Sequence, residues 1–357
     1  MKLYRIMLAI VIAGCFTSAN AQKNRTILKG KVHNWPTDTV YFATFTFHSP
    51  YSTVEGFQIL KSDKTFEYAF DKADKPFIVF LTPERKFLDL RKDVLFENLT
   101  SKYYIGYCQN FYDCPITTYL LEPGTKTEVE LTKTKRYGKT LINFLSENKY
   151  NSEYYQTTFE LDATLEKVLD SRFDITLKEI KNMDNAIKNL NTKLNESLTK
   201  LETDQQHISP FLYKYTKSEI EFGARKEFLR YLLLDHKEEA SKIFSNKIPQ
   251  KINDVVEFNK KNVDYATMIS QEYNEFIELY LTFKFSTLKN ELISYKEFDK
   301  EKFDLALKEL PQASKYYYIA NNLLHISYNE KSKPLVAKLI KLYPDGTLNN
   351  KLVEKYN

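Results

Sequence analysis

The chain has 357 residues, 43% hydrophobic and 28% charged, with 52 Lys and Arg against 47 Asp and Glu. That length and apolar share suit two packed domains and exclude a disordered chain. Charges of both signs are interleaved throughout, which excludes the basic stripe of a nucleic-acid binder.

At the start, "MKLYRIMLAIVIAGCFTSANAQ" carries Lys2 and Arg5, then an apolar run, then the small-x-small site Ala19-Asn20-Ala21 before Gln22. This pattern predicts an export signal over residues 1–21, too short in its apolar part to be a stable transmembrane helix. "IAGC" offers a competing reading, a lipobox that would make Cys15 a lipidated first residue. Cleavage after Ala21 removes two basic residues and no acidic one, which leaves 50 basic against 47 acidic and a net charge of +3. No later stretch is apolar and long enough to span a membrane.

Residues 22–135 read as a small antiparallel β-sandwich. Tyr41, Phe45 and Phe47 alternate on one face with Ala43. Phe66, Tyr68 and Phe70 alternate with Thr65, Glu67 and Ala69, and Thr127, Val129 and Leu131 oppose Glu128 and Glu130. Period-two alternation places one face in a core and the other in water. "KPFIVFLT" is apolar on consecutive positions, as in a strand covered on both sides. "SDKT" and "EPGT" mark turns, and short strands separated by turns suit a sandwich.

Residues 136–357 read as a mostly helical domain with a long helical hairpin, giving an α+β chain overall. "LTKTKRYGK" is the densest basic run and fits a solvated junction between the two. Phe173, Ile180, Ile187, Leu194 and Leu201 recur every seven residues, with Leu177, Met183, Leu190 and Leu198 between them. That stripe predicts one long helix. Ser209-Pro210 breaks it before a second helix through Leu234 packs back on it. Further helices fit 265–292, 300–309, 313–327 and 334–342.

Catalytic signatures are missing. The seven Gly beyond the leader lie too far apart for a phosphate-cradling loop, and no G-x-S-x-G occurs. His33, His48, His207, His236 and His325 are dispersed, without metal-ligand spacing. Asp235 and His236, beside Glu238 and Glu239, read as a solvated helix end rather than an acid–base pair. No catalytic, metal or cofactor residue is assigned.

Three stretches together, "ILKGKVHNWPTDTVYF", "LKSDKTFEYAFDKADKPFIVFL" and "YLLEPGTKTEVEL", resemble the amino-terminal domain of exported TlpA-like thioredoxin-fold proteins of Bacteroidetes type. "SPFLYKYTKSEIEF" and "KPLVAKLIKLYPDGTLNNKLVEKYN" resemble the helical region that follows it there. In that family a thioredoxin domain with W-C-x-x-C comes next. Here Trp35 adjoins no Cys and no C-x-x-C occurs, so no catalytic role carries over. The export signal and the missing catalytic motifs, set beside this resemblance, predict an exported, non-catalytic envelope protein in the periplasm or at the outer membrane that binds a protein or peptide, in one form as accessory to a separate thioredoxin-like reductase. Its oligomeric state stays open. The alternatives are a thiol-redox factor using Cys108 and Cys114, or a small-ligand binder exploiting the abundant Tyr and Phe.

Cys108 and Cys114 flank "QNFYD" between two strand-like segments. A five-residue connection suits a hairpin, whose flanking positions can approach disulfide distance. An oxidising compartment favours the bond, and Asp113 opposes the lowered thiol pKa that a redox pair needs. Inert free thiols remain the main alternative to a structural disulfide. Thiol counting on the unreduced, denatured mature chain should find neither cysteine free. Two free thiols would exclude the disulfide.

Overall fold

The computed structural model describes residues 25–45, 55–70, 75–83, 85, 117–133, 140–145, 161–162, 167–168, 177, 182–293, 298–326 and 330–357. Cys15, Cys108, Cys114 and the whole leader lie outside these residues.

The architecture is α+β, strands first and helices second. Among the described residues, eight strands form two four-stranded sheets. The first sheet has the order β4-β1-β7-β8, built from β1 (Thr26–His33), β4 (Thr65–Phe70), β7 (Lys126–Lys133) and β8 (Thr140–Phe144). The second has the order β3-β2-β5-β6, built from β2 (Thr39–Phe45), β3 (Glu55–Ile59), β5 (Phe77–Thr82) and β6 (Thr117–Leu121). A short pair, β9 (Leu161–Asp162) and β10 (Lys167–Val168), follows.

The first sheet departs from the antiparallel expectation. β1 pairs antiparallel with β4 but parallel with β7, placing Gly30 beside both Phe66 and Val129. β1 and β7 are far apart in sequence, so no hairpin fixes their relative direction. β8 pairs with β7 beyond residue 136, where the sequence reads as helical.

The alternation of β4 and β7 is realised. Phe66, Phe70, Thr127, Val129 and Leu131 are buried, with Leu28 and Val32 between them. Lys29, Glu67 and Glu128 sit on the solvated side, with Lys29 3.2 Å from Glu67. β2 is reversed relative to its aromatic pattern. Val40, Phe42 and Thr44 face inward, and Tyr41 is half-buried on the outside. The Phe42 ring is the reason: it lies 4.0 Å from Tyr68 and 5.7 Å from Phe70, in the middle of the core. Phe77 closes the cluster 5.1 Å from Phe70. In β5, Phe77, Val79 and Leu81 are buried inward and Thr82 is buried on the other face.

Both expected turns are present. Gly124 of "EPGT" takes φ +74°, and its N–H donates to Thr26 Oγ1 at 2.9 Å. In "SDKT", the Asp63 carboxylate accepts from the Thr65 N–H and hydroxyl at 3.1 and 2.6 Å.

Ten α-helices follow among the described residues. α1 (Met183–Asp204) starts at an Asn182 cap whose side chain accepts two backbone N–H groups. α2 (Pro210–Arg230) starts at Ser209, with Pro210 in the first turn. The two pack on each other across residues 205–209. The buried ridge of α1 is Met183, Ala186, Leu190 and Leu201, whereas Ile187 and Leu194 are only half-buried. The expected seven-residue seam is therefore rotated towards the Met183 side. A straight helix of 3.6 residues per turn drifts off a strict heptad line. α2 ends in a π turn, Tyr231–Asp235.

Then come α3 (Lys237–Phe244), α4 (Gln250–Val256), α5 (Tyr265–Met268) and α6 (Gln271–Lys289). Residues 265–292, expected as one helix, are two, because Ser270 caps a fresh start by accepting from the Tyr273 N–H. α7 (Lys300–Glu309), α8 (Gln312–His325), α9 (Lys333–Leu342) and α10 (Asn349–Tyr356) complete the chain. α2 and α6 make the most extensive helix contact. At its centre Phe222 meets the rings of Phe258, Tyr273 and Phe276 at 5.5, 4.9 and 5.2 Å. Lys355 of α10 fastens the end of α8, donating to the carbonyls of Leu324 and Ile326 at 2.6 and 2.5 Å.

Hydrogen bonds among the described residues tie the strand part to the helices. The Tyr265 hydroxyl donates to Pro76 O at 2.8 Å, with the Lys75 ammonium 5.1 Å from its ring. The Ser209 hydroxyl donates to the Glu122 carboxylate while accepting from the Leu212 N–H. Burial pushes the Glu122 carboxyl above its ordinary range.

The rotated seam has a measurable consequence. Leu190→Asp buries an unpaired charge and should cost several kcal/mol. Ile187→Asp, half-exposed, should cost less than half as much. Equal losses in denaturant unfolding of the two variants would contradict the rotation.

Candidate interaction surface

Two kinds of feature stand out: ionisable groups inside the helical part and an exposed apolar edge on the strands.

The densest ionic group lies between α2 and α6. Lys226 places its ammonium 2.6 Å from Glu272, 3.3 Å from Glu275 and 3.6 Å from Glu227. Glu219, about two turns before Lys226 on the same side of α2, is fully buried and accepts the backbone N–H of Glu272 at 3.3 Å. It thereby joins the cap of α6. Burial pushes the Glu272 carboxyl up to about 8; Lys226 opposes the rise, and Glu275 and Glu219 add to it. Burial also pulls on Lys226 in the opposite sense, but Glu272, Glu275 and Glu227 outweigh it and keep the ammonium charged. Perturbed groups of this kind also mark active sites. Here the Lys226 and Glu272 side chains are only 11% and 9% exposed. The group acts as a register pin between two core helices.

A second buried set joins three helices. Lys302 of α7 pairs with Glu278 of α6, whose other oxygen accepts from Tyr318 of α8 at 2.5 Å. A third, nearer the surface, sets Lys284 against Glu257, while Tyr280 donates to Glu257 at 3.2 Å and Lys260 meets Glu309 at 3.1 Å. Both are tied into helix packing.

The described histidine side chains, His33, His207 and His236, each have their own surroundings. His33 is 3.8 Å from Glu130, His207 adjoins Gln206, and the His236 ring lies 4.2 Å from Tyr231. Asp235 and Glu238 are exposed beside it. Among the described residues no group of three or more His, Cys, Asp and Glu is placed to hold a metal. No helix among them is long and apolar enough to cross a membrane.

The apolar edge is β3, the strand that leads into the "SDKT" turn. It is built with its polarity reversed. Gly56 and Gln58 face the core side, while Phe57 and Ile59 face out, each 60% exposed. Phe42 imposes this. Its ring occupies the space where a Cβ at position 56 would stand, so only Gly fits there. No side chain fits inward at 56, and Phe57 and Ile59 take the other face. Tyr41 lies behind Phe57, ring centroids 6.2 Å apart. β3 is the terminal strand of its sheet, and among the described residues no strand lies beyond it. Its period-two pattern, Phe57 and Ile59 against Gly56 and Gln58, was the available signal. Exposed apolar side chains on an edge strand are what a protein ordinarily avoids.

No family model, no curated protein and no solved structure matches this chain.

The ionic group predicts a pH trend with a defined sign. Glu272 holds its proton more tightly folded than unfolded. Its contribution to stability is full below the ordinary carboxyl value of 4.5 and is lost as pH rises through about 8. The melting temperature of the wild type should therefore fall from pH 5 to 9 more steeply than that of Glu272→Gln. Lys226→Met should cost about 3–5 kcal/mol at pH 8 and less at pH 5, where the carboxylates left behind can take up protons. Parallel pH profiles for wild type and Glu272→Gln would contradict the assignment.

Proposed function

We propose that this chain is an exported, non-catalytic protein of the cell envelope, and that it binds a protein partner as a strand added along β3. The observation that carries the reading is the reversed polarity of β3. Exposing Phe57 and Ile59 forgoes about 1.5–3 kcal/mol of burial for each, a cost that a docked strand returns. Strand addition supplies main-chain hydrogen bonds for affinity and side-chain contacts for selectivity. The leader-like start, the missing catalytic signatures and the likeness to the non-catalytic part of an exported family all support it. In this reading the strand-rich part, 22–135 with β8 added, presents the edge. The helical part, with its ion pairs sealed in helix contacts, is the rigid support.

A photo-crosslinking side chain at position 57, in the native envelope, tests the reading. It should give a discrete protein adduct. The same group at Glu128, on the charged outer face of the first sheet, should give none. An adduct with a thioredoxin-like reductase would supply the partner that the resemblance implies. No adduct at 57, or equal labelling at both positions, would overturn the reading.

A further inference from the structure

We infer that the strand received by β3 is the carboxy-terminal tail of the partner, laid parallel to β3 with its terminal carboxylate at Lys61 and Lys64. The inference rests on the edge-docking reading above and names the chemistry of the partner.

The ladder settles which main-chain groups a new strand meets. The Leu60 N–H donates to Asp38 O at 2.8 Å, and Gln58 stands opposite Val40 and Gly56 opposite Phe42 in the same register. Antiparallel bonding alternates along a strand. Residues 56, 58 and 60 therefore spend their main-chain groups on β2, and those of 55, 57 and 59 point away from the sheet.

This outward series stops at residue 61. The Lys61 N–H donates to Thr65 O at 2.9 Å, and its carbonyl accepts from the Lys64 N–H at 2.9 Å. Lys64 O in turn accepts from the Val32 N–H at 3.0 Å. The turn into β4 thus closes the edge at one end. A strand lying along 55–59 must end, or turn away, where it reaches that turn.

Charge decides which end of a chain belongs there. Lys61 and Lys64 are both exposed on the turn, Lys64 at φ +63°. The carboxylate between them, Asp63, already accepts from the Thr65 N–H and hydroxyl at 3.1 and 2.6 Å. Two ammonium groups against one carboxylate leave the turn with an excess of positive charge. A strand antiparallel to β3 starts at the lysines, with an amino terminus of like charge. A parallel strand ends there with a carboxylate, and capture of a terminal carboxylate is an established mode of peptide recognition. On the way, two side chains of the tail, two residues apart, lie on the outer face beside Phe57 and Ile59, each 60% exposed. The tail that fits is apolar at two alternate positions just before its end.

Fluorescence anisotropy on the mature chain tests this, with a labelled short peptide ending in Val-Thr-Val-Thr, made as the free acid and as the carboxamide. The free acid should bind about fivefold more tightly than the amide at low salt, and high salt should erase the difference. In the double variant Lys61→Gln, Lys64→Gln the free acid should fall to the affinity of the amide. The amide itself should bind wild type and variant alike, which excludes misfolding as the cause. Phe57→Lys should abolish binding of both. Equal affinity for acid and amide in the wild type, or no binding of either, would overturn the inference. The crosslink at position 57 separates the two levels. An adduct whose digest contains the partner's carboxy-terminal peptide supports the tail. An adduct at an internal segment of the partner removes the tail and keeps edge docking. A chain with neither peptide binding nor adduct loses both.

Discussion

One constraint organises the helical half: α2 and α6 lie together only if Lys226 finds its carboxylates. Four acidic side chains, Glu219, Glu227, Glu272 and Glu275, converge on that seam. Sliding either helix by a turn would separate the ammonium from Glu272 and leave charge without a partner in a low-dielectric interior. The aromatic packing around Phe222 is less demanding, since rings tolerate several tilts. The ions therefore supply register and the rings supply cohesion. The other helices add to this pair, α1 through Leu190 and the later ones through Glu278 and Lys302.

The strand half depends on one large side chain as well. Phe42 occupies the centre of the sandwich and demands a glycine on the neighbouring strand. Core packing and surface character are thus one fact seen from two sides. The ring that completes the interior turns the apolar residues of β3 outward. Gly30 makes the same accommodation for Phe66 without exposing anything, because β1 is an interior strand with neighbours on both sides.

Much of this was legible in the sequence because local signals agree. Lys300–Glu309 reads to the residue, since Asp299 caps it and Pro311 follows it. β4 and β7 alternate cleanly, and "EPGT" names its own turn. What was hidden is non-local. Glu219, Lys226, Glu272 and Glu275 sit at ordinary helical spacings and look like solvated faces until two helices distant in sequence are laid together. The break at Ser270 is masked by continuous apolar character on either side. β2 carries apolar residues on both faces, so alternation could not say which went inward. β3 alternates in the usual way but inverts the usual meaning, which only Phe42 reveals.

An exposed edge has consequences that depend on symmetry. β3 ends one side of its sheet and β6 ends the other. If β3 of one molecule met β6 of the next, each addition would leave a fresh β3 at the far end, and growth would continue as a filament. If β3 meets β3, both edges are consumed at once and assembly stops at two. Which edge β3 meets thus decides whether assembly closes at two or runs on as a filament.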